Sequence, residues 1–486
     1  MYQSIIIVGQ SFAHFQWDTL LLEVGFLGIF FVPKQKKFRA KIYEKIKADQ
    51  SKKEDSKFFK LQDQFYVSEF AAYAQELIKF VAFKLFLSSG LLKLLSKCPT
   101  WWNLTALEYH FWSQPLPHYL SWYFNLLPDY AKKMMVAGNF ICLLGGSLLF
   151  YMPYRPLRIT GAFLNFIMQL VCVVDDLFLA KYIPKIVKIF LNVPRDFKQI
   201  YQYQDLKLIK QKEKIDKSSN THLLNQIKIV FDFAICAGLV MGIGLYFFPF
   251  DQFFVQKSKL AFNYEELRQF VLESPLLFVI QIIFAFCMIS SGFYYSIKYY
   301  NELDSKFLTS IRRFFAILFA IGFYFLNVEK LIVPLEEGQN RTDYQSILSF
   351  KPLEYFNQRF FFCNSYGLFR RMTGIKGREE LVFEGSINGQ DWLEYEFQYK
   401  PTYLQNYPSF AMPFQPRLDW QLWFSAMRPE LGEPYLVILM QKILKNSESV
   451  QSLFKVNPFE HENPQFIRIK KYLYKFTNLE EYKQTG

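Results

Sequence analysis

The chain has 486 residues, enough for two or three domains, and 51% of them are hydrophobic and 20% aromatic. Its formal net charge is +13. Lys and Arg, however, cluster in loops beside long apolar runs and form no basic stripe interleaved with aromatics, so nucleic acid is excluded as a partner. Positive loops that flank apolar runs are typical of an integral membrane protein.

Seven apolar runs before residue 333 approach the length of about 20 residues that a helix needs to cross a bilayer. They are Trp17–Val32, Ala71–Leu95, Met135–Tyr151, Ile159–Val174, Ile229–Phe250, Leu276–Tyr295 and Phe314–Leu331. A further run, Leu177–Val193, is interrupted by Pro184 and three lysines, and is either a poor span or an interfacial helix. The sequence therefore predicts a multi-pass α-helical membrane domain over residues 1–333, with about seven or eight spanning helices.

The charges between the runs predict which side each loop faces. Two loops, 34–60 and 194–222, are strongly basic, and the first holds 11 Lys or Arg against 4 Asp or Glu. If Leu177–Val193 crosses, both loops fall on one side, as the positive-inside rule requires. The two glycosylation sequons, at Asn103 and Asn340, then fall on the opposite side together with everything after residue 333.

From residue 334 to 486 the apolar runs give way to a strand-rich pattern that predicts a mixed α+β domain outside the membrane. Alternation predicts strands over Leu381–Glu384, Trp392–Tyr399 and Phe466–Phe476. Short amphipathic helices are predicted over Glu433–Lys445 and Ser447–Lys455.

Two carboxylates, Asp18 and Glu23, fall in the first predicted span. A carboxylate inside a membrane is costly and is expected to face the protein interior with a partner. Lys79, Lys84 and Lys93 in the next run are the candidate partners. Two interpretations stay open: a polar cavity for a substrate or proton, or a structural ion pair.

Outside the spans, the sequence predicts no catalytic, cofactor or metal site. Glu108 beside His110 has the residue types of a general base, but no nucleophile or metal set accompanies the pair, which favours hydrogen-bonded loop residues. Cys98 and Cys363 allow at most one disulfide. Trp420 and Trp423 with Arg417 and Asp419 have the composition of an interaction hot spot, or of a buried Arg–Asp pair beneath a Trp core.

Ordered short motifs run through most of the chain. The membrane-proximal ones are Phe15-Gln16-Trp17-Asp18, Ser89-Gly90-Leu91-Leu92, Pro99-Thr100-Trp101 and Gln114-Pro115-Leu116-Pro117. The later ones are Asn364-Ser365-Tyr366-Gly367-Leu368-Phe369, Glu384-Gly385-Ser386, Pro416-Arg417-Leu418-Asp419-Trp420-Gln421 and Asn457-Pro458-Phe459. In this order and spacing they resemble the lipase maturation factor family.

That resemblance implies a non-enzymatic multi-pass protein of the endoplasmic reticulum that helps secreted lipases to fold and assemble. It implies a lumenal C-terminal domain that binds the client, with Arg417, Asp419, Trp420 and Trp423 as candidate contacts. Asp18, Glu23 and Lys93 are the polar candidates within the membrane, and Asn103 and Asn340 are the glycosylation candidates. The expected partners are the lipid bilayer and lipase clients.

Two alternatives stay open. The first is a structural accessory subunit of a large membrane complex, such as a respiratory assembly of the mitochondrial inner membrane, in which the many aromatic residues pack against other subunits. The second is a membrane enzyme, which rests only on a fold-level analogy with vitamin K-dependent carboxylase-like domains. Glycan on Asn103 or Asn340 would favour the maturation factor, and an unglycosylated chain in a stable complex would favour the subunit.

Overall fold

A computed structural model of the chain describes residues 2–31, 34–35, 65–66, 69–117, 120–152, 154–174, scattered positions from 231 to 248, 260, 262–273, 276–299, 306–332, 351–404 and, with short gaps between 405 and 432, the remainder to 485. Leu177–Val193, Asn340, the 194–222 loop and most of the 34–60 loop lie outside these residues.

The N-terminal region consists of helices joined by short turns. Its first elements are α1 (Tyr2–Gly9), a 3₁₀ turn (Gln10–Ala13), α2 (Gln16–Gly28), a second 3₁₀ turn (Ile29–Phe31), the antiparallel pair β1 (Lys34–Gln35) and β2 (Phe65–Tyr66), and α3 (Glu69–Leu95). Three short helices follow: α4 (Pro99–Trp102), α5 (Leu107–Ser113) and α6 (Ser121–Asn125).

Longer helices complete this region. They are α7 (Asp129–Phe140), which runs on through a π turn (Ile141–Gly146) and a 3₁₀ turn (Leu149–Tyr151), α8 (Arg155–Val174), α9 (Tyr264–Arg268) with a π turn (Gln269–Glu273), α10 (Leu276–Tyr299) and α11 (Lys306–Ile332). The helices α3, α8, α10 and α11 correspond to apolar runs of the sequence.

Within the part of the chain that the structure describes, the predicted count of seven or eight spans is not reached. Among the described residues, two helical stretches are long and apolar enough to cross a membrane, Asp129–Tyr151 and Ser310–Leu331. Two other apolar runs do not qualify as membrane spans, for physical reasons. The first forms α2, with only 13 residues, and α3 carries five charged residues, Glu69, Glu76, Lys79, Lys84 and Lys93.

A hydrophobic core lies where α2, α3, α10 and α11 meet. Leu27, Tyr73, Phe83 and Ala316 are fully buried within it. The helices approach closely, since a Cβ atom on Gly292 would lie 2.4 Å from the Tyr73 ring. A second cluster packs Leu94, Trp101, Val136 and Phe140 beneath the loops that follow α3.

The C-terminal region begins with α12 (Lys351–Phe360) and contains the predicted strands. Its elements are β3 (Arg378–Ser386), β4 (Leu393–Glu394), β5 (Glu396–Phe397), α13 (Arg417–Ala426), α14 (Pro434–Leu444), α15 (Glu448–Gln451), β6 (Phe454–Val456), β7 (Phe466–Tyr474) and α16 (Leu479–Thr485). The strands predicted at Leu381–Glu384 and Phe466–Phe476 are confirmed. The strand predicted over Trp392–Tyr399 divides into β4 and β5, which pair with different partners.

The main sheet has the antiparallel order β4-β3-β7, with Arg378 opposite Tyr474 and Ser386 opposite Phe466. α13 contacts β3 and α14 contacts β7. Leu381, Phe383, Leu422 and Leu436 are fully buried in the resulting core. This core is separate from the helical one, so the junction between the two regions is the feature that sets their relative placement.

Candidate functional site

The junction contains a fully buried carboxylate, Glu23 of α2. Lys84 of α3 donates from Nζ to Glu23 Oε1 at 2.7 Å and to Asn327 Oδ1 of α11 at 2.5 Å. On its other oxygen, Glu23 accepts the Tyr366 hydroxyl at 2.5 Å and the Asn364 backbone N–H at 3.2 Å. These five residues, here called the Glu23 cluster, join three helices to the start of the C-terminal region.

The Glu23 cluster satisfies the condition for placing charges out of water, because its carboxylate and its ammonium group are paired and also hydrogen-bonded. Of the three lysines that the sequence offered, Lys84 is the partner. Lys79 instead pairs with Glu76 at 2.7 Å. Burial and the neighbouring Glu23 carboxylate raise the pKa of Tyr366, so this phenol stays protonated and acts as a donor.

A chain of amide contacts links this cluster to α12. Asn327 donates from Nδ2 to Cys363 Sγ at 3.0 Å. The Asn357 side chain then accepts from the Cys363 N–H and donates to the Cys363 carbonyl, each at 2.7 Å. Cys98 and Cys363 are both buried as free thiols, so the disulfide that the sequence allowed is not formed.

A second buried carboxylate, Asp18, receives two side chains from distant parts of the chain. Arg417 of α13 donates from both terminal nitrogens, to Oδ1 and to Oδ2, each at 2.7 Å. Tyr2 of α1 donates its hydroxyl to Oδ1 at 2.6 Å. We call these three residues the Asp18 cluster. A bidentate guanidinium–carboxylate pair fixes orientation as well as distance, so it holds α13 against α2 in one geometry.

Aromatic rings surround the Asp18 cluster. Trp420 packs edge-on against Trp17, with 4.8 Å between ring centroids. Phe15 stacks on Trp17 at 4.6 Å and on Phe424 at 5.5 Å. The Arg417 guanidinium lies 5.5 Å from the centre of the Phe15 ring, so this group of rings flanks one side of the ion pair.

The third part of the junction is a strip of backbone carbonyls, residues 368–374, that accept from donors of the helical region. Lys93 donates to the Leu368 carbonyl at 3.0 Å, and the Trp101 indole donates to the Phe369 carbonyl at 3.2 Å. Ser96 and Trp112 bond the carbonyls of residues 370 and 374 in the same way. Lys93 is therefore one of four side chains that donate to this strip.

Gly367, the residue just before this strip, has a steric role. A Cβ atom at this position would lie 2.4 Å from a Leu92 methyl carbon of α3. Any larger residue at position 367 would therefore require the Leu92 side chain to move.

The four candidates in the C-terminal domain do not form one cluster. Arg417 pairs with Asp18, whereas Asp419 accepts the backbone N–H groups of Tyr399 and Lys400, at 3.2 and 2.9 Å. The buried Arg417–Asp419 pair, one of the two interpretations of the sequence, is therefore wrong, because the two side chains leave α13 toward different elements. Burial raises the pKa of the Asp419 carboxyl.

Trp423 is also placed within the junction. It is only 8% exposed, and its indole N–H donates to the Ser113 carbonyl of α5 at 2.9 Å. Trp423 thus links α13 to the loops of the helical region, as Trp420 links it to α2.

A buried charge group that sequence reasoning missed lies inside the C-terminal domain. Glu380 of β3 accepts from Arg378 at 2.8 Å and from Lys400 at 3.0 Å, and all three side chains are buried. Arg378 also donates to the carbonyls of Gln114 and Pro115. Burial alone would raise the pKa of Glu380, but the charges of Lys400 and Arg378 outweigh it and lower that pKa.

His110 does not have the surroundings of a general base. Its ring packs against the rings of Phe369 and Phe111, with centroids 5.3 and 5.8 Å away. Burial and the nearby Lys93 charge lower its pKa to about 4, so the imidazole is neutral at physiological pH. Among the described residues, no group of three or more His, Cys, Asp or Glu could hold a metal ion.

One exposed surface of the C-terminal domain has the composition of an interaction hot spot, which the sequence had suggested for residues 417–423 of α13. At the tip of the β3–β4 hairpin, Ile387, Leu393 and Phe466 are each between 44% and 51% exposed. The Arg468 guanidinium lies 3.9 Å above the Trp392 ring beside them. We call these five residues the hairpin tip. Asn103, the sequon within the described residues, is exposed at the end of α4.

Comparison with known proteins gives a consistent result over the chain. The family model of the lipase maturation factor transmembrane domain matches residues 1–178, and that of the lipase maturation factor C-terminal domain matches residues 362–486. Lipase maturation factor 2 of Rattus norvegicus is 28% identical over 491 residues, covering 98% of this chain and 65% of that protein.

Further relatives agree. The Gallus gallus lipase maturation factor 2 is 30% identical, over 99% of this chain and 64% of its own length. Lipase maturation factor 1 of Mus musculus is 24% identical, over 98% of this chain and 64% of its own length. The chain thus spans about 65% of the length of these relatives. No solved structure matches it.

Proposed function

The chain belongs to the lipase maturation factor family, and from this membership we propose that it is a non-enzymatic, membrane-anchored maturation and assembly factor for secreted lipases. In this proposal it resides in the endoplasmic reticulum, with the C-terminal domain in the lumen. The membrane region anchors the chain, and the C-terminal domain binds the immature client.

The observation that carries the proposal is the junction between the two matched regions. Glu23 lies in the part matched by the transmembrane model, and its partners Asn364 and Tyr366 lie in the part matched by the C-terminal model. Asp18 and Arg417 repeat this arrangement. Buried, paired contacts of this kind supply an orientation, which suits a domain that must present one surface at a constant distance from the bilayer.

The hairpin tip is the surface that we propose for the client. It combines a Trp and an Arg with exposed apolar side chains, which are the residue types enriched at binding hot spots. An incompletely assembled lipase exposes apolar surface, and the tip offers that surface temporary cover. We assign Asp419 and Trp423, which are buried, to holding α13 in place. Arg417 and Trp420 are half-buried at the edge of the junction.

The test is a comparison of two double variants in cells that secrete a lipase. Leu393→Ser with Phe466→Ser alters the hairpin tip, and Val437→Ser with Ile438→Ser alters an equally exposed pair on α14. We expect the tip variant to lower lipase co-purification and secreted lipase activity about fivefold, as loss of a hot-spot residue does. The α14 variant should leave both unchanged at equal protein level.

Glycan analysis of the same preparations tests the location. Carbohydrate on Asn103 is expected, since this residue is exposed. An unglycosylated chain that co-elutes with a large respiratory complex would overturn the proposal in favour of an accessory subunit.

A further inference from the structure

Two short helices next to the junction carry apolar side chains on their open sides. In α1 these side chains are aliphatic, and in α12 they are aromatic. They are Ile5, Ile7, Val8, Tyr355, Phe356 and Phe360, with exposures from 37% to 82%. We call these six residues the apolar platform.

The two helices are fixed to each other and to the junction. Gln3 of α1 donates from Nε2 to the Arg359 carbonyl of α12 at 3.0 Å. The inward side of α1 is held by the Tyr2 hydroxyl on Asp18 and by fully buried Ile6. The inward side of α12 is held by Asn357. The platform therefore faces outward because its opposite side is already occupied.

The platform lies at the end of a candidate membrane span. Asn357 bonds to Cys363, whose sulfur accepts from Asn327. Asn327 stands in the last two turns of α11, which ends at Ile332. These contacts hold α12 at the depth where α11 ends, and α11 itself exposes Phe314, Phe315, Leu318 and Phe325. Exposed apolar side chains thus occur both along the span and on the platform beside its end.

The residue types on the platform suit one occupant, the interfacial layer of a phospholipid bilayer. Tyr and Phe are amphipathic or apolar rings, and Tyr in particular is enriched at the level of lipid headgroups. The Arg359 guanidinium lies 6.0 Å from the Tyr355 ring, where its stem can cover apolar surface while its charge reaches the phosphates. Short helices with one apolar face lie in the plane of the interface.

We propose that α1 and α12 rest in the bilayer interface, with the apolar platform in contact with lipid, and so set the depth at which the C-terminal domain is held. This contact is independent of any lipase client. It adds a second membrane attachment to the spanning helices, on the side where the C-terminal domain lies.

Photolabelling of the full chain in phosphatidylcholine vesicles tests this placement. The probe is a phospholipid with a diazirine near the headgroup end of its acyl chain, and adducts are located by mass spectrometry of peptides. Peptides containing residues 5–8 and 355–360 should be labelled about fivefold more than those of the hairpin tip, because of these two surfaces only the platform touches lipid. Labelling equal to that of the tip, with α11 peptides labelled normally, would overturn the proposal.

A double variant of the platform tests whether the labelling depends on its aromatic side chains. Tyr355→Ser with Phe356→Ser should lower the labelling of residues 355–360 about threefold without changing the unfolding temperature in detergent, since neither side chain is buried. The hairpin tip double variant is the matched control and should leave platform labelling unchanged. Unchanged labelling in the Tyr355/Phe356 variant, or crosslinks from the platform to a co-purified protein with only background lipid adducts, would contradict a lipid contact.

Discussion

The helical region and the C-terminal domain both bury charged groups, but they pair them over different distances along the chain. Glu23 and Lys84 are 61 residues apart, and Asp18 and Arg417 are 399 apart. In the C-terminal domain, Glu380 pairs with Arg378 two residues away and with Lys400 on the following segment. Long-range pairs fasten whole regions together, whereas short-range pairs shape a single domain. Loss of a long-range pair should therefore destabilise both regions, whereas loss of a short-range pair should destabilise one domain.

The largest effect is expected at the Glu23 cluster. Lys84→Met leaves a buried carboxylate without its cation, and should lower the free energy of unfolding by about 3–5 kcal/mol. Because Glu23 also accepts from Asn364 and Tyr366 of the C-terminal region, the loss should appear in both regions, measured as amide hydrogen exchange in α3 and in β3. Lys79→Met, on the same helix but 39% exposed, is the control and should cost at most about 1 kcal/mol.

The double variant Glu23→Gln with Lys84→Met sharpens this result. It removes both charges, so its cost should be clearly smaller than the sum of the two single changes. A strictly additive pair of effects would mean that the two charges do not interact as the geometry indicates.

A somewhat smaller and local effect is expected at Glu380. Glu380→Gln retains a hydrogen-bond acceptor but removes the charge between Arg378 and Lys400, and should destabilise the C-terminal domain by about 3 kcal/mol. Hydrogen exchange should rise in β3 and β7 while α3 stays protected. Equal exchange in α3 would show that this cluster also fastens the two regions, through the bonds from Arg378 to the Gln114 and Pro115 carbonyls, and the comparison would then fail.

The Asp18 cluster should give a smaller effect, because the Arg417 side chain is 37% exposed and water screens it. Arg417→Met should cost about 1–2 kcal/mol, and a double-mutant cycle with Asp18→Asn should recover about 1 kcal/mol of coupling. Limited proteolysis should release the C-terminal domain faster from the Arg417 variant. Arg428→Met, which removes a 61% exposed arginine paired with Glu433, should not change the rate of release.

The smallest effect concerns pH. His110 has a pKa of about 4 in the folded chain, below its ordinary value of 6.5, so the unfolded chain binds the proton first as the pH falls. Stability contributed by the neutral ring is present above pH 6.5 and is lost between 6.5 and about 4. Lowering the pH from 7 to 5.5 should cost about 1 kcal/mol through this group. The His110→Gln variant should show a correspondingly weaker pH dependence of its unfolding temperature.

The sequence predicts an element correctly where one physical rule is enough to determine its secondary structure. The α3 helix begins two residues before its predicted start at Ala71 and ends at the predicted Leu95, because this run contains no Pro and a continuous helix satisfies its backbone groups internally. The β3 and β7 strands follow from alternation. The α1, α12 and α13 helices were missed, since each is short and its apolar residues face a partner, or a surface, that lies elsewhere in the chain.

The site divides in the same way. The rule that an intramembrane carboxylate needs a partner predicted three candidate lysines for Glu23 without choosing among them, and the structure selects Lys84. No local pattern could connect Asp18 with Arg417, because their contact exists only after the C-terminal domain has folded. The Glu380 group could have been suspected from a Glu in the middle of an apolar strand, Arg378–Ser386, whose side chain needs a cation once it is buried.

The separation of 399 residues between Asp18 and Arg417 has a consequence for biogenesis. At translation rates of about 5–20 residues per second, α2 emerges about 20–80 s before the arginine that completes its carboxylate pair. Glu23, by contrast, meets Lys84 within about 3–12 s. The nascent protein therefore passes through a stage in which Glu23 is already paired with Lys84 while Asp18 has no arginine partner, and the Asp18 pair forms only after synthesis has passed Arg417.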